Sequence, residues 1–272
     1  MSKYTVKRQT QTKNILESIT FDKVSRIFDV GAGDTVITAS LLDLTGADEA
    51  YATDLHPPKK RNSRITFVPL DNLQTLDTDV DMVTTMMSIH HFTCPETMFT
   101  RINRLLPIDG LLLIKEHDTY SDPCKREQHL AYLELLHIIY AVIKNESMPD
   151  ELNIRTSSEL TRELAQYGFS LVQKVEPDPD DLQLKYGALY RKDFEVGESE
   201  NEHTHITRPL KVANRFKKID SSQRDAAILL IYNLLGKVVS MKALSGIISR
   251  SSDSDVNIIA NIKAEFSRKI EV

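Results

Sequence analysis

From Ser25 to about Glu116, short apolar runs alternate with segments whose apolar residues return every three or four positions. The runs Arg26 to Val30, Glu49 to Thr53, Ile65 to Val68, Asp81 to Met86 and Leu111 to Lys115 have the length of buried strands, and Thr35 to Leu44 and Pro95 to Leu106 read as helices between them. This alternation predicts an α/β fold, a parallel sheet with helices on both faces. A longer helix is predicted from about Lys125 to Lys144, where Leu130, Leu133, Leu136, Ile139, Tyr140 and Ile143 share a face that reads as core. A further helix, Ser157 to Tyr167, stops at Gly168. The strand-like runs Phe169 to Val175 and Leu184 to Arg191 then complete a seven-stranded sheet as an antiparallel pair.

The pattern changes after Arg191, so residues 1–191 are read as one domain. Residues 192–207 (KDFEVGESENEHTHIT) are polar and acidic, as in an interdomain linker. Residues 208–272 read as a small helical module, with helices opening at Ser221, Ser240 and Asp253 or Ser254. Within it, Leu235-Gly236-Lys237-Val238-Val239-Ser240, Ala243-Leu244 and Val256-Asn257 to Ile262-Lys263 resemble the winged-helix domain of response regulators over about fifty residues. Arg208, Lys211, Arg215, Lys217 and Lys218 form a basic cluster that could meet phosphates; a protein partner for these helices is the other reading.

Composition narrows the picture little. The 272 residues carry a net charge of −5, which offers nucleic acid no global attraction. The two cysteines, Cys94 and Cys124, have no Cys or His at metal-ligand spacing, so no metal is expected and free thiols in a reducing, cytoplasmic compartment are. Met1 to Thr12 lacks the apolar core of a signal peptide, and the run Ala226 to Leu235 is too short to span a bilayer, so no membrane association is expected.

The chain names a ligand at Asp29-Val30-Gly31-Ala32-Gly33-Asp34. A buried strand ending in Asp-x-Gly-x-Gly breaks into a turn where a ligand can approach the backbone. Asp54 follows Gly33 by 21 residues, one βαβ step, which sets its carboxylate at the adjacent strand end, where a ribose could sit. A dinucleotide site would want a third glycine where this chain has Val36, and Asp34 would repel a pyrophosphate while suiting a cationic sulfonium and ammonium ligand.

Taken with the element order, these residues make positions 10–191 resemble a class I S-adenosylmethionine-dependent methyltransferase. Ser88-Ile89-His90-His91-Phe92 is similar to the loop after the fourth strand in the "type 11" group, and Leu106-Pro107 to Ile114 to its turn before the fifth strand. The resemblance implies S-adenosyl-L-methionine as cofactor, held at Asp29, Gly31 and Gly33, with Asp54 on the ribose and Leu55 on the adenine. It also implies that Leu70, Asp71, Met87 and Ser88 line the site. Methyl transfer asks for alignment and, for many acceptors, removal of one proton. His90 and His91, then Lys115-Glu116-His117-Asp118, stand at strand ends where such a group belongs, and Lys115, His117 and His90 are the catalytic candidates.

Lys115 is similar in position to the third member of the K-D-K-E tetrad of cap 2'-O-methyltransferases, and Lys13, 16 residues before Asp29, to the first. Met86 and Arg191 stand where the two acids should be. Ile114 to Asp118 and Leu135 to Val142 are similar to methyltransferase domains encoded by viruses. That implies RNA, a cap structure included, as acceptor, held through Lys115 and Arg208 to Lys218; a small-molecule acceptor and a noncatalytic scaffold are the alternatives.

Overall fold

The computed structural model describes residues 3–60, 62–73, 80–144, 152–178 and 181–197. The later part of the expected linker and the whole expected C-terminal module, with its basic cluster Arg208 to Lys218 and its partner surfaces, lie outside the described residues.

The elements are α1 (Lys3–Glu17), β1 (Arg26–Val30), α2 (Val36–Thr45), β2 (Glu49–Thr53), β3 (Ile65–Phe67), β4 (Met82–Met86), α3 (Pro95–Leu105), β5 (Leu111–His117), α4 (Pro123–Lys144), α5 (Ser157–Gln166), β6 (Phe169–Val175) and β7 (Lys185–Lys192). Single 3-10 turns stand at Leu70–Asn72 and Ile89–His91. The strands form one sheet in the order β3-β2-β1-β4-β5-β7-β6, parallel except for β7, which runs antiparallel to both β5 and β6. Five parallel strands and a terminal antiparallel pair are what the hydrophobic pattern predicts.

Both sheet faces are covered, which is why β4 is buried at every position and β1 from Ile27 onward. On one face Phe28, Val83, Phe99, Ile102, Leu112, Leu160 and Leu164 join β1, β4 and β5 to α3 and α5. On the other, Ile15, Leu16, Ile27, Leu41, Leu42, Met82, Leu113 and Leu189 join the sheet to α1 and α2. Each such side chain contributes about 1.5–3 kcal/mol over its exposed state. Helix ends follow their local chemistry: α5 opens with a capping box between Thr156 and Glu159, and the chain leaves it through Gly168 at φ +80°.

Two strand boundaries and one helix depart from expectation for clear physical reasons. β5 continues two residues past Lys115 because Glu116 and His117 keep pairing with Tyr186 and Lys185 of β7. Asp81 stays outside β4, its carboxylate accepting the Ser25 and Arg26 N–H groups at 2.7 and 2.9 Å. Helix α1 was not expected at all, because its first half is polar. Its buried positions Thr12, Ile15 and Leu16, with Ile19 just beyond the helix, nevertheless follow helical spacing.

Of the described residues, those up to Asp118 and those from Asn153 on form one compact unit, and Thr119 to Leu152 belong to a second. In the second, α4 spans the expected helix with two extra residues at its start; Leu133 and Leu136 are buried, and His137 Nδ1 lies 2.7 Å from the Leu133 carbonyl one turn back. Leu130, expected on the same core face, is only half-buried, and the side chains of Ile139, Tyr140 and Ile143 lie outside the described residues.

Candidate active site

Strand order reverses between β1 and β4, and in an open α/β sheet the crevice at such a switch point, off the carboxyl ends of the strands, is where ligands bind. Here β1 ends in the glycine turn. The Gly31 and Ala32 N–H groups both donate to the Thr53 carbonyl, at 2.9 and 3.0 Å, which locks the turn to the end of β2. Gly31 has φ +76°, and a Cβ there would overlap the Ser88 side chain, lying 2.8 Å from its Oγ. Ser88 in turn donates to the Val30 carbonyl at 2.8 Å, so the β1 and β4 ends are laced together where only glycine fits. Gly33, at φ +57°, differs: a Cβ there would meet nothing within 4 Å, and the backbone faces open space. Its N–H donates to Asp54 Oδ2 at 2.7 Å, fixing that carboxylate beside the turn.

Beneath the turn, Asp29 is fully buried and accepts hydroxyl bonds from Thr38 of α2 at 2.5 Å and Thr84 of β4 at 2.8 Å. Burial pushes its pKa up to about 6, against the opposing pull of the two hydroxyls. At the mouth of α2, Asp34 is exposed and stands 3.9 Å from Arg8 of α1. Leu55, next to Asp54, is 80% exposed, an apolar surface without cover.

The β4 and β5 ends carry the titratable groups. Met87, at φ +65°, donates its N–H to the Lys115 carbonyl at 2.8 Å. The chain then makes the Ile89–His91 turn, which Asn153 holds by donating to the His90 and Phe92 carbonyls at 2.8 and 2.6 Å. His90 is buried, with Nδ1 2.5 Å from Glu116 Oε1. Glu116 also accepts the backbone N–H groups of His90 and His117, at 3.2 and 2.7 Å. Burial raises the Glu116 pKa, opposed by His117 and these bonds. His117 is buried too, its Nδ1 3.0 Å from the Gln183 carbonyl and its ring centroid 5.0 Å from that of His90.

A family model described as a methyltransferase domain matches residues 5–174, more than half of the chain. The chain belongs to the methyltransferase-domain family. It is an enzyme of the class I fold whose methyl donor is S-adenosyl-L-methionine. Among solved structures it is similar to a putative methyltransferase of Haloferax volcanii, solved in complex with the Trm112 activator, at 12% identity and TM-score 0.52, with 70% of this chain and 92% of that one covered. It is also similar to the mitomycin 7-O-methyltransferase MmcR, at 15% identity and TM-score 0.51, over 68% of this chain and about half (53%) of the other. No curated protein sequence matches significantly.

The methyltransferase's donor set fits its cofactor. Two carboxylates, Asp34 and Asp54, flank an open glycine backbone, and the Thr53 hydroxyl, buried at the adjoining strand end, has no hydrogen-bond partner among the described residues. Leu70 is half-buried and Asp71 exposed on the turn after β3, and Met87 is half-buried beside buried Ser88. Asp29 is the correction within this group: its carboxylate faces Thr38 and Thr84 under the turn, so it shapes the site from below.

Lys115 is a second correction. It is 3% exposed and bonded to Gln11 Oε1 of α1 at 3.4 Å, so it is not the surface cation that the expected RNA contact calls for. The tetrad geometry is absent as well. Lys13 is exposed and paired with Glu17 at 3.5 Å, and the residues across the sheet from Lys115 are Met86 and Gly187, neither of them an acid. Arg8, Gln11, Thr38 and Thr84 were not singled out from sequence. The helical spacing of Thr12, Ile15, Leu16 and Ile19 would have found the first two.

Proposed function

We propose that this methyltransferase acts on a small-molecule acceptor, with His90 taking the acceptor proton. The observation that carries the reading is the buried His90–Glu116 contact at 2.5 Å, two residues past the Ser88 that packs against Gly31. With Nδ1–H held on a carboxylate, the second ring nitrogen, Nε2, is the basic one, and the pair makes an oriented general base. When bound, S-adenosylmethionine supplies a methyl already activated on a sulfonium. The protein's part is to align the acceptor and remove its proton. Asp54 and Leu55 are the residues we assign to ribose and adenine; the Gly31–Gly33 backbone and Asp34 are assigned to the methionine portion.

Of the two features an RNA acceptor would use, Lys115 is buried and residues 208–218 lie outside the described residues. The test is transfer of labelled methyl to a panel of small phenols and amines, capped RNA and uncapped RNA. Asp54→Ala should abolish transfer to every acceptor, and His90→Gln should slow transfer to small hydroxyl acceptors by about 10²–10⁴ while cofactor binding survives. Transfer to capped RNA alone, lost in Lys115→Ala, would overturn the small-molecule reading in favour of RNA.

A further inference from the structure

Among the described residues two lysines, Lys115 and Lys192, are almost completely buried, and they are treated differently. Lys192, at the far end of β7, donates to the Asn103 and Leu106 carbonyls at 2.7 and 2.6 Å and to Glu195 at 2.5 Å, so all three ammonium protons are used. Lys115 has one partner among the described residues, Gln11 Oε1, at 3.4 Å, beyond the usual 2.7–3.2 Å range. Its cross-strand neighbours are apolar, and the side chain of Ile15 occupies the space over Gly187. The charges around it are the wrong sign: burial first, then Lys185 and Arg8, push its pKa down to about 7, with only Asp181 opposing. Asp181 is itself paired with Lys185 at 2.6 Å, and Arg8 leans toward Asp34 at 3.9 Å. A purely structural lysine would be satisfied as Lys192 is. Lys115 instead keeps two donors and a poorly met third in a positive neighbourhood, which is a receptor for an anion.

Lys115 also stands at the reaction end of the sheet. Its carbonyl holds the Met87 N–H, one residue before the Ser88 that touches Gly31. We propose that Lys115 binds a carboxylate carried by the reactants, with the Gln11 side-chain oxygen holding that place until the carboxylate arrives. Gln11 is half-buried on α1, and its one contact with Lys115 is long. The inference rests on the methyltransferase reading of the site and adds to it the chemical class of a bound group. The carboxylate has two sources, the methionine portion of the cofactor or the acceptor.

Calorimetry on the whole chain separates them. One arm compares S-adenosylhomocysteine with 5'-methylthioadenosine, which lacks the amino-acid portion; the other compares 3,4-dihydroxybenzoate with catechol in the presence of S-adenosylhomocysteine. The expected result is a preference of at least tenfold for the carboxylated member in one arm, reduced to less than threefold in Lys115→Met while the other arm is unchanged. Because the first pair also differs in the amino group, the variant's effect decides that arm, not the preference alone. As a reading that needs no variant, the Lys115 signal in wild-type protein labelled at lysine 13Cε should shift with the carboxylated ligand only. Equal preferences in wild type and Lys115→Met in both arms, or a signal that ignores both carboxylates, would overturn the proposal. Absence of any S-adenosylhomocysteine binding would instead overturn the reading of the site on which it stands.

Discussion

Asp29→Asn isolates the energetic consequence of placing a carboxyl group under the glycine turn. In the folded chain burial pushes the Asp29 pKa from 3.8 to about 6. The native state therefore keeps a proton that the unfolded chain releases between pH 4 and 6. Stability from this group is complete below pH 4, falls as pH rises through the window, and levels off above it. A shift of about two units at ~1.4 kcal/mol per unit makes the loss about 3 kcal/mol. Asparagine has nearly the same shape and no charge to lose. Its carbonyl can accept one threonine hydroxyl and its amide can donate to the other, whose O–H rotates to suit. Urea unfolding of both proteins at pH 4, 5, 6 and 7 measures the difference directly. We expect the variant to gain about 3 kcal/mol on wild type between pH 4 and 7, contributions from all other groups cancelling in the comparison. Parallel profiles would refute the reasoning, because they would mean that the Asp29 carboxylate is as well solvated in the folded chain as in the unfolded one.

The two glycines of the turn should separate in the same assay. Gly31→Ala meets both a left-handed φ and the Ser88 side chain and should cost about 2–4 kcal/mol, whereas Gly33→Ala meets only the φ term, about 1 kcal/mol, at pH 7. In labelled-methyl assays, His90→Gln should lower kcat by about 10²–10⁴ with the affinity for S-adenosylhomocysteine unchanged, and Glu116→Gln should lower it less; loss of cofactor binding in either would contradict the assigned roles. Lys192→Met, far from the site, should lower thermal stability by about 3 kcal/mol through two lost bonds at the end of α3 and one to Glu195, while leaving cofactor affinity intact.

The sheet was legible because parallel strands buried on both faces leave continuous apolar runs, and the antiparallel pair Phe169–Val175 and Lys185–Lys192 is bounded by plain turn signals. The glycine turn was legible because backbone strain selects glycine one residue at a time. What escaped was whatever depends on partners remote in sequence. Asp29 reads as a ligand contact until Thr38 and Thr84 are seen to converge on it, from 9 and 55 residues away. Lys115 reads as a strand-end group open to an acceptor because titratable residues follow it directly, yet β7 pairing carries the strand on through Glu116 and His117. Glu116 stood in plain view without a role until the turn at His90 brought an imidazole to it across 26 residues.

The distribution of strain across the sheet bears on function independently of any resemblance. Buried ionisable groups at the carboxyl ends of the parallel strands include Asp29, Lys115, Glu116, His90 and His117; the shifts assigned to the first three are all driven first by burial. Among the described residues, three of the four non-glycine residues with positive φ, Thr35, Met87 and Leu184, lie at that same end, Leu184 adjoining the β7 residue that pairs with His117. The opposite end has one, Asp109, and there the buried charge of Lys192 is fully bonded. Among the described residues, most of the positive-φ side chains and the one poorly bonded buried lysine therefore share one sheet end. Such strain survives where the surrounding packing over-determines it, and it gathers at sites that must meet a ligand. The asymmetry supports the proposed site at the carboxyl ends of the parallel strands, and it marks Lys115, the least satisfied buried group among the described residues, as the residue whose substitution most directly tests what binds there.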